Sequence, residues 1–262
     1  VKQSEKTQWP GRTGAILLGL VLWLVLTASA FAAPRRTVLV RNVREMMEAL
    51  ADNTEIILEP GRYDLSQWLE GEGAQRLIHR YAWNPDSPPG LYLSHELEIA
   101  GFRDLTIRGR GSGEEDPAEI VIRDPYCPVL KFRNCRNLRL ARFRAGHTVE
   151  KGKCSGAVLY LEAADNVTLE NLDLYGCGTY GLEARNSENI TLTGSVIRDC
   201  SYGLVSAVGC GSLRLVRTAF RDTHTNLPLF DLNNTRMELT DCTFYHVQGI
   251  LSSLSVAAGD GA

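Results

Sequence analysis

The dipeptide Arg198-Asp199 recurs 23 residues later as Arg221-Asp222. The corresponding positions before it hold Gly146-His147 and Tyr175-Gly176, and those after it hold Tyr245-His246. If the chain stacks residues at this spacing, two guanidinium groups lie one strand apart, flanked by tyrosines. Like charges placed directly opposite weaken a sheet, so something must compensate them. In one reading Asp199 and Asp222 neutralise the arginines locally and the column is an ordinary solvated face. In the other, the arginines hold carboxylates bidentately while Tyr175 and Tyr245 stack on sugar rings, which suits an acidic polysaccharide. A uronate held this way loses its C5 proton to a base at His147 or His246, with arginine neutralising the developing charge, as a lyase or epimerase requires. The expected catalytic set is therefore His147, Arg198, Arg221 and His246, with Tyr175, Tyr245, Asp199 and Asp222 binding substrate. Full pairing of both arginines with Asp199 and Asp222 would remove the main motive for catalysis. What would remain is a noncatalytic binding or structural protein of the cell envelope or surface.

A second outward column is expected at Lys131, Tyr160, Glu183, Val205 and Asp231. Its mixed charges and apolar interruption read as a solvated face. Glu183 and Asp231, two coils or roughly 9 to 10 Å apart, would suit inverting glycoside hydrolysis, the less favoured reading. The seven cysteines are odd in number and form no paired CxxC knuckles, so no zinc site is expected. Cys177 and Cys200 are expected to stack as buried thiols, because parallel Cβ vectors suit a disulfide poorly. Cys154, in a loop, is the better candidate for bonding or reactivity. No cofactor is expected; calcium is possible, but no site for it is identifiable.

The elements that must position these residues come from a repeat. Asn166-Val-Thr-Leu169 returns as Asn189-Ile-Thr-Leu192, Ser212-Leu-Arg-Leu215 and Arg236-Met-Glu-Leu239, after earlier copies Asp104-Leu-Thr-Ile107 and Asn137-Leu-Arg-Leu140. From residue 107 the steps are 33, 29, 23, 23 and 24, so the early copies carry insertions. Stretches such as Leu159-Tyr-Leu161 and Leu172-Asp-Leu174 alternate apolar with polar residues, and Asn, Gly or Asp separates them, which marks short half-buried strands and turns. Three strands in one such period leave no room for a crossover helix, which excludes doubly wound and (β/α) barrel folds. A propeller period is longer, about 40 residues. The chain must coil, stacking parallel strands about 4.8 Å apart. Asn137, Asn166 and Asn189 then share one turn position, where a left-handed backbone and a ladder of side-chain amides are expected. Ladder asparagines followed by strand threonines also account for the sequons Asn166-Val-Thr and Asn189-Ile-Thr.

The expected fold is all-β, a single-stranded right-handed parallel β-helix over 37–248 with an N-terminal capping helix. Residues 37–58 supply a strand at Thr37 to Val40 and a helix from Val43 to Leu50 capped by Asn42, covering the open end of the stack. Residues 65–93 form an inserted loop holding Trp68, His79, Arg80, Tyr81, Trp83 and the Pro88-Pro89-Gly90 turn, the coils run over 98–248, and 249–262 is a tail or a truncated continuation.

Of the 262 residues, 44% are apolar and 23% charged, which supports a core and excludes general disorder. The net charge of −3 argues against a nucleic-acid partner. Lys2, Lys6 and Arg12 precede the apolar run Gly14 to Leu26 and the small residues around Ala30 and Ala32. This layout predicts a secretory signal peptide over 1–32. The apolar run falls short of the roughly 20 residues of a membrane span. The mature protein is thus expected to be secreted, periplasmic or in the cell envelope, with no stable membrane span.

From Thr37 to Gln248 the capping helix, Ile56-Ile-Leu-Glu-Pro-Gly-Arg-Tyr63 and the coils resemble the pectate-lyase-like superfamily of right-handed parallel β-helix proteins. The segments Gly146-His-Thr148, Cys154-Ser-Gly156 and Leu174-Tyr-Gly-Cys-Gly-Thr-Tyr-Gly-Leu182 resemble exported β-helix proteins without an assigned reaction. The resemblance implies a fold shared by lyases, hydrolases, epimerases, esterases, phage tailspikes and passive surface proteins. The calcium-binding aspartates and catalytic arginine of pectate lyases have no counterpart at numbered positions here, nor do the paired aspartates of polygalacturonases.

Overall fold

The structure, a computed structural model, describes residues 35–70, 78–81, 94–111, 117–176 and 178–251. The expected signal peptide, Trp83, the 88–90 turn, Cys177 and residues 252–262 lie outside these.

Each coil contributes one short strand to each of three sheets, as Leu159–Glu162, Asp165–Glu170 and Asp173–Tyr175 do in one turn. We call these the first, second and third strands. Alternation explains the interior: Leu140, Leu169, Leu192 and Leu215 pair in parallel register, and all are fully buried. Ala145, Leu174, Ile197 and Phe220 form the equivalent stack on the third strands. Burying such stacks at about 25 cal/mol per Å² is the main favourable contribution, and each coil makes it against its neighbours.

Corners are set by residues that tolerate a left-handed backbone. At the start of the second strands these are Asp104, Asn137, Asn166 and Asn189, with φ between 53° and 56°. The expected amide ladder forms in part. Asn137 Nδ2 donates to Asp104 Oδ1 at 2.7 Å and Asn166 Nδ2 to Asn137 Oδ1 at 2.6 Å, but Asn189 turns to Asp165 Oδ1 at 3.0 Å. Three further columns were not anticipated. Asn134, Ala163, Asn186, Gly209 and Asn234 form one, Arg142, Asn171, Gly194, Arg217 and Asp241 another, and Gly176, Asp199, Asp222 and His246 the third. Serine and threonine hydroxyls complete the corners: Ser187 Oγ accepts from Ala164 N and Ser195 Oγ from Leu172 N, both at 3.0 Å.

Arg36–Val40 opens the second-strand sheet, and helix α1 (Val43–Glu48) follows. Asn42 is the N-cap residue as expected. Its side chain accepts from Glu45 N, while Glu45 Oε2 accepts from Arg41 N at 2.8 Å. The helix stops short of Leu50 because Ala49 is its C-cap. Residues 65–93 are not loop throughout. Helix α2 (Leu65–Leu69), capped by Asp64, opens the segment, and Ile78–Tyr81 pairs antiparallel with Ser94–Ala100. Ile78–Tyr81 thus forms the edge of the first-strand sheet, and its first coil strand starts at Ser94, four residues before the expected start of the coils. Trp68 packs against the core.

Candidate functional site

The expected outward column exists. Gly146 pairs with Tyr175, Tyr175 with Arg198, Arg198 with Arg221 and Arg221 with Tyr245. Tyr175 lies down over Gly146, where a Cβ would come within 2.5 Å of the ring and 2.7 Å of the Tyr175 carbonyl. This posture lets Tyr175 donate to Glu119 Oε1 at 2.6 Å. Burial and that carboxylate push the phenol above its ordinary pKa.

The two arginines differ. Arg198 is bound by Asp173, with Nε to Oδ1 at 2.8 Å and Nη2 to Oδ2 at 2.9 Å, and by Asp199 Oδ2 at 2.7 Å. Its guanidinium also lies 4.7 Å from the Tyr175 ring centre. Burial opposes its charge, but the two carboxylates hold its pKa above the usual value. Arg221 is exposed and has no ion pair within 4.0 Å among the described residues. Asp222, expected to neutralise it, has left-handed φ (52°) and approaches the next corner instead, its Oδ1 lying 3.4 Å from His246 Nδ1. Its carbonyl accepts from Lys151 Nζ at 2.7 Å, and the same ammonium lies 3.7 Å from Asp199 Oδ1. The loop carrying Lys151 thus folds back across the corners.

The two histidines also part company. His246 is exposed, left-handed at φ 49°, and its ring lies 3.9 Å from that of Tyr245. His147 is 4% exposed, and its Nε2 bonds the Cys127 carbonyl at 2.9 Å. It does not join the left-handed corner residues Asp199, Asp222 and His246, so it packs inward and does not reach the arginine column. The expectation of a base at His147 is corrected on this ground.

A groove of about 640 Å³ runs beside the column, and its walls include Arg142, Arg144, Asp173, Arg198, Arg221 and Asp222. Arg142 and Arg144 were missed from sequence. The corner positions equivalent to Arg142 are Asn171, Gly194, Arg217 and Asp241, so an arginine there carried no signal in the sequence. Arg142 Nε is buried without an acceptor, whereas Arg144 Nε lies 3.4 Å from Asp173 Oδ2.

The first-strand face is Lys131, Tyr160, Glu183, Ser206 and Asp231. Ser206 replaces the expected Val205, which pairs with Leu182 and Phe230 in the core. The run Gly203-Leu204-Val205 hides the alternation there. Lys131 and Glu98 are both almost wholly buried, 3.2 Å apart, and Arg133 reaches the same carboxylate. Burial pushes Glu98 up, but Arg133 and Lys131 outweigh it and hold the carboxyl below its usual range. Glu183 goes the other way: burial raises its pKa despite Arg185, whose Nε and Nη2 both bond Oε1 at 3.1 and 3.0 Å. Tyr180 donates to Asp231 Oδ2 at 3.4 Å and packs edge-on against Tyr202.

Cys200 is buried as expected. Cys154 is buried too and accepts from Gly178 N at 2.6 Å, so it is not the accessible loop thiol expected. Among the described residues no cluster of His, Cys, Asp and Glu is placed to hold a metal ion, and no helix is long and apolar enough to cross a membrane.

Three parallel sheets sharing one interior, with one strand each per coil, define the architecture, and a family model described as right handed beta helix region matches residues 146–259. The chain folds as a right-handed parallel β-helix. Among solved structures it is similar to a candidate glycosyl hydrolase from Parabacteroides merdae ATCC 43184, at TM-score 0.51 and 12% identity over 80% of this chain and 98% of that one. It is also similar to the ORF18 protein of Geobacillus virus E2, at TM-score 0.50 and 11% identity, where the match covers 91% of this chain and 46% of the viral one. An alginate lyase from Paenibacillus sp. str. FPU-7 aligns over 78% of this chain and 75% of its own, at TM-score 0.46 and 12% identity. No curated protein matches the sequence. At these identities the β-helix shares a fold with its neighbours, and its function has to be argued from its own side chains.

Proposed function

We propose that this β-helix binds an acidic polysaccharide along its third-strand face and acts outside the cytoplasm, where the N-terminal layout would send it. The observation that carries this reading is Arg221, exposed and without a carboxylate partner among the described residues, beside a groove whose walls also carry Arg142 and Arg144. A uronate carboxylate in the groove would pair with Arg221. Tyr245, 60% exposed and next to Arg221 in register, offers a face for a sugar ring. Tyr175, already committed to Glu119 and Arg198, would line the site rather than bind.

Turnover, if it accompanies binding, falls to His246. Asp222 orients its ring, Arg221 neutralises the uronate carboxylate, and the imidazole takes the C5 proton. For a lyase the C4–O bond then breaks and the departing oxygen takes a proton from water. For an epimerase a proton from water reaches C5 on the opposite face, and His246 releases the one it took to solvent. Arg198, saturated by Asp173 and Asp199, favours the second reading, a binding rod without catalysis.

Titration with polygalacturonate and alginate oligosaccharides tests the binding. Arg221→Ala should weaken it by about 10-fold or more, roughly the loss of one charge-assisted pair, and added salt should weaken it further. Binding of these polymers that survives Arg221→Ala and Arg142→Ala would overturn the proposal. Ultraviolet absorbance of unsaturated products and NMR of C5 configuration distinguish lyase, epimerase and binding rod. His246→Ala should abolish any turnover while leaving binding measurable.

A further inference from the structure

Arg198-Asp199 and Arg221-Asp222 are the same dipeptide at the same place in consecutive coils, yet their ion pairs differ. Arg198 pairs with Arg221 in register, and Asp199 and Asp222 share a left-handed backbone, with φ of 57° and 52°. Asp199 turns back on its own neighbour, its Oδ2 accepting from Arg198 Nη1 at 2.7 Å. Asp222 turns away, and its Oδ1 lies 3.4 Å from His246 Nδ1. The same corner backbone therefore accommodates both directions of the carboxylate. That backbone is also pinned, because Lys151 Nζ donates to the Asp222 carbonyl at 2.7 Å, so reversing the direction needs only a side-chain rotation.

What differs between the two coils is the residue that follows in the corner column. Asp199 is followed by Asp222, which repels a carboxylate, whereas Asp222 is followed by His246, which attracts one when protonated. The groups around this histidine are Asp222 and Arg221 from the coil before, Tyr245 beside it with ring centres 3.9 Å apart, and Lys151 from the loop that crosses the corners. The side chains of His246 and Asp222 are 61% and 42% exposed, so both are free to move and to exchange protons with solvent. Histidine is the residue type in this group that ordinarily changes charge between about pH 5 and 8.

We propose that Asp222 is a two-position gate on Arg221, set by the charge of His246. With the imidazole protonated, Asp222 pairs with it, and Arg221 is left to an anion in the groove that both residues line. With the imidazole neutral that ion pair is lost, and Asp222 turns back to Arg221 as Asp199 does to Arg198. Affinity for a carboxylate ligand is then highest on the acid side and falls as pH rises through the histidine range. A ligand already seated holds Arg221 itself, so in the complex Asp222 stays beside His246. The gate regulates the site proposed above and rests on that reading for its ligand, but the movement of Asp222 belongs to the free protein.

Two measurements on the full-length protein between about pH 5 and 8 test the gate. The first needs no ligand: the Nε–Hε signal of Arg221 in NMR, identified by its loss in Arg221→Lys, should move across this range in the unsubstituted protein and stay in place in Asp222→Asn. The second is calorimetric titration with polygalacturonate oligosaccharides, whose carboxylates remain ionised throughout. Affinity should fall by roughly 2-fold to 5-fold from the acid to the alkaline end, the worth of one exposed ion pair. Asp222→Asn should bind evenly across the range, and His246→Gln weakly across it. An Arg221 signal that does not move in the unsubstituted protein, or a pH dependence of signal or affinity that persists in folded Asp222→Asn, would overturn the gate. A moving signal without polygalacturonate binding would leave the gate in place and remove the polyuronate reading, whereas pH-independent binding with a stationary signal would do the reverse.

Discussion

Glu98 and Glu183 lie three strands apart in one column and respond oppositely to burial, because only Glu98 meets two cations at close range. The pH consequences are opposite too. A carboxyl held below its ordinary value of 4.5 contributes stability that is present above that pH and lost as pH falls through the folded-state value, which is the case of Glu98. Glu183, raised above 4.5, stabilises the fold below that pH and loses this as pH rises through its folded value. Denaturant titrations across this range should therefore show Glu98→Gln flattening the acid-side loss and Glu183→Gln flattening the decline on the other side. Lys131→Met would remove one of the cations held against the buried Glu98 carboxylate, and should cost about 3 kcal/mol in chemical denaturation. The charged residue types at these positions were legible in the sequence. The partnerships were not, since Glu98 and Lys131 are brought together only when one coil settles on another.

At the scale of elements, period-two alternation and the 23-residue step located the coil strands and their register, except at Val205, where Ser206 takes the outward place. Leu169, Leu192 and Leu215 stack as their spacing demanded. The corners were only partly legible. A row of asparagines announces a left-handed turn, whereas Ala163, Arg142 and Arg217 adopt the same backbone without a compositional signal. The antiparallel strand Ile78–Tyr81 was missed because a lone apolar run inside an insertion has no repeat to calibrate it. The hydroxyl contacts give an element-scale prediction. Ser195→Ala strips the buried Leu172 N–H of its side-chain acceptor and should cost about 1 to 2 kcal/mol by thermal or urea unfolding, against about zero for an exposed serine.

Across the whole molecule, stability should fall toward the last described coil. Leu232, Met237 and Leu239 are only half-buried and Phe244 is 46% exposed, whereas their counterparts one coil earlier, Ala207, Leu213, Leu215 and Phe220, are at most 1% exposed. In a stack where each coil is held by its neighbours, such a coil opens first. Amide exchange measured by mass spectrometry should be faster over 230–250 than over 159–175, and equal protection in the two stretches would contradict the picture. This gradient bears on function, because Tyr245 and His246 belong to that same coil, and a ligand bridging Arg221 and His246 would protect it.

The covalent sequence by itself determined the coil, its step, the inward leucines and the vertical alignment of Tyr175, Arg198, Arg221 and Tyr245, because alternation and repeat length are local properties that survive whatever the rest of the chain does. Only the tertiary structure decided which arginine is free. Asp173, two residues before Tyr175, reaches diagonally to Arg198, and a left-handed corner sends Asp222 toward His246. Lys151 arrives from a loop more than 70 residues away along the chain from Asp222. Charge partners are chosen by side-chain direction and by distance through space, and neither is written in the spacing of a single strand.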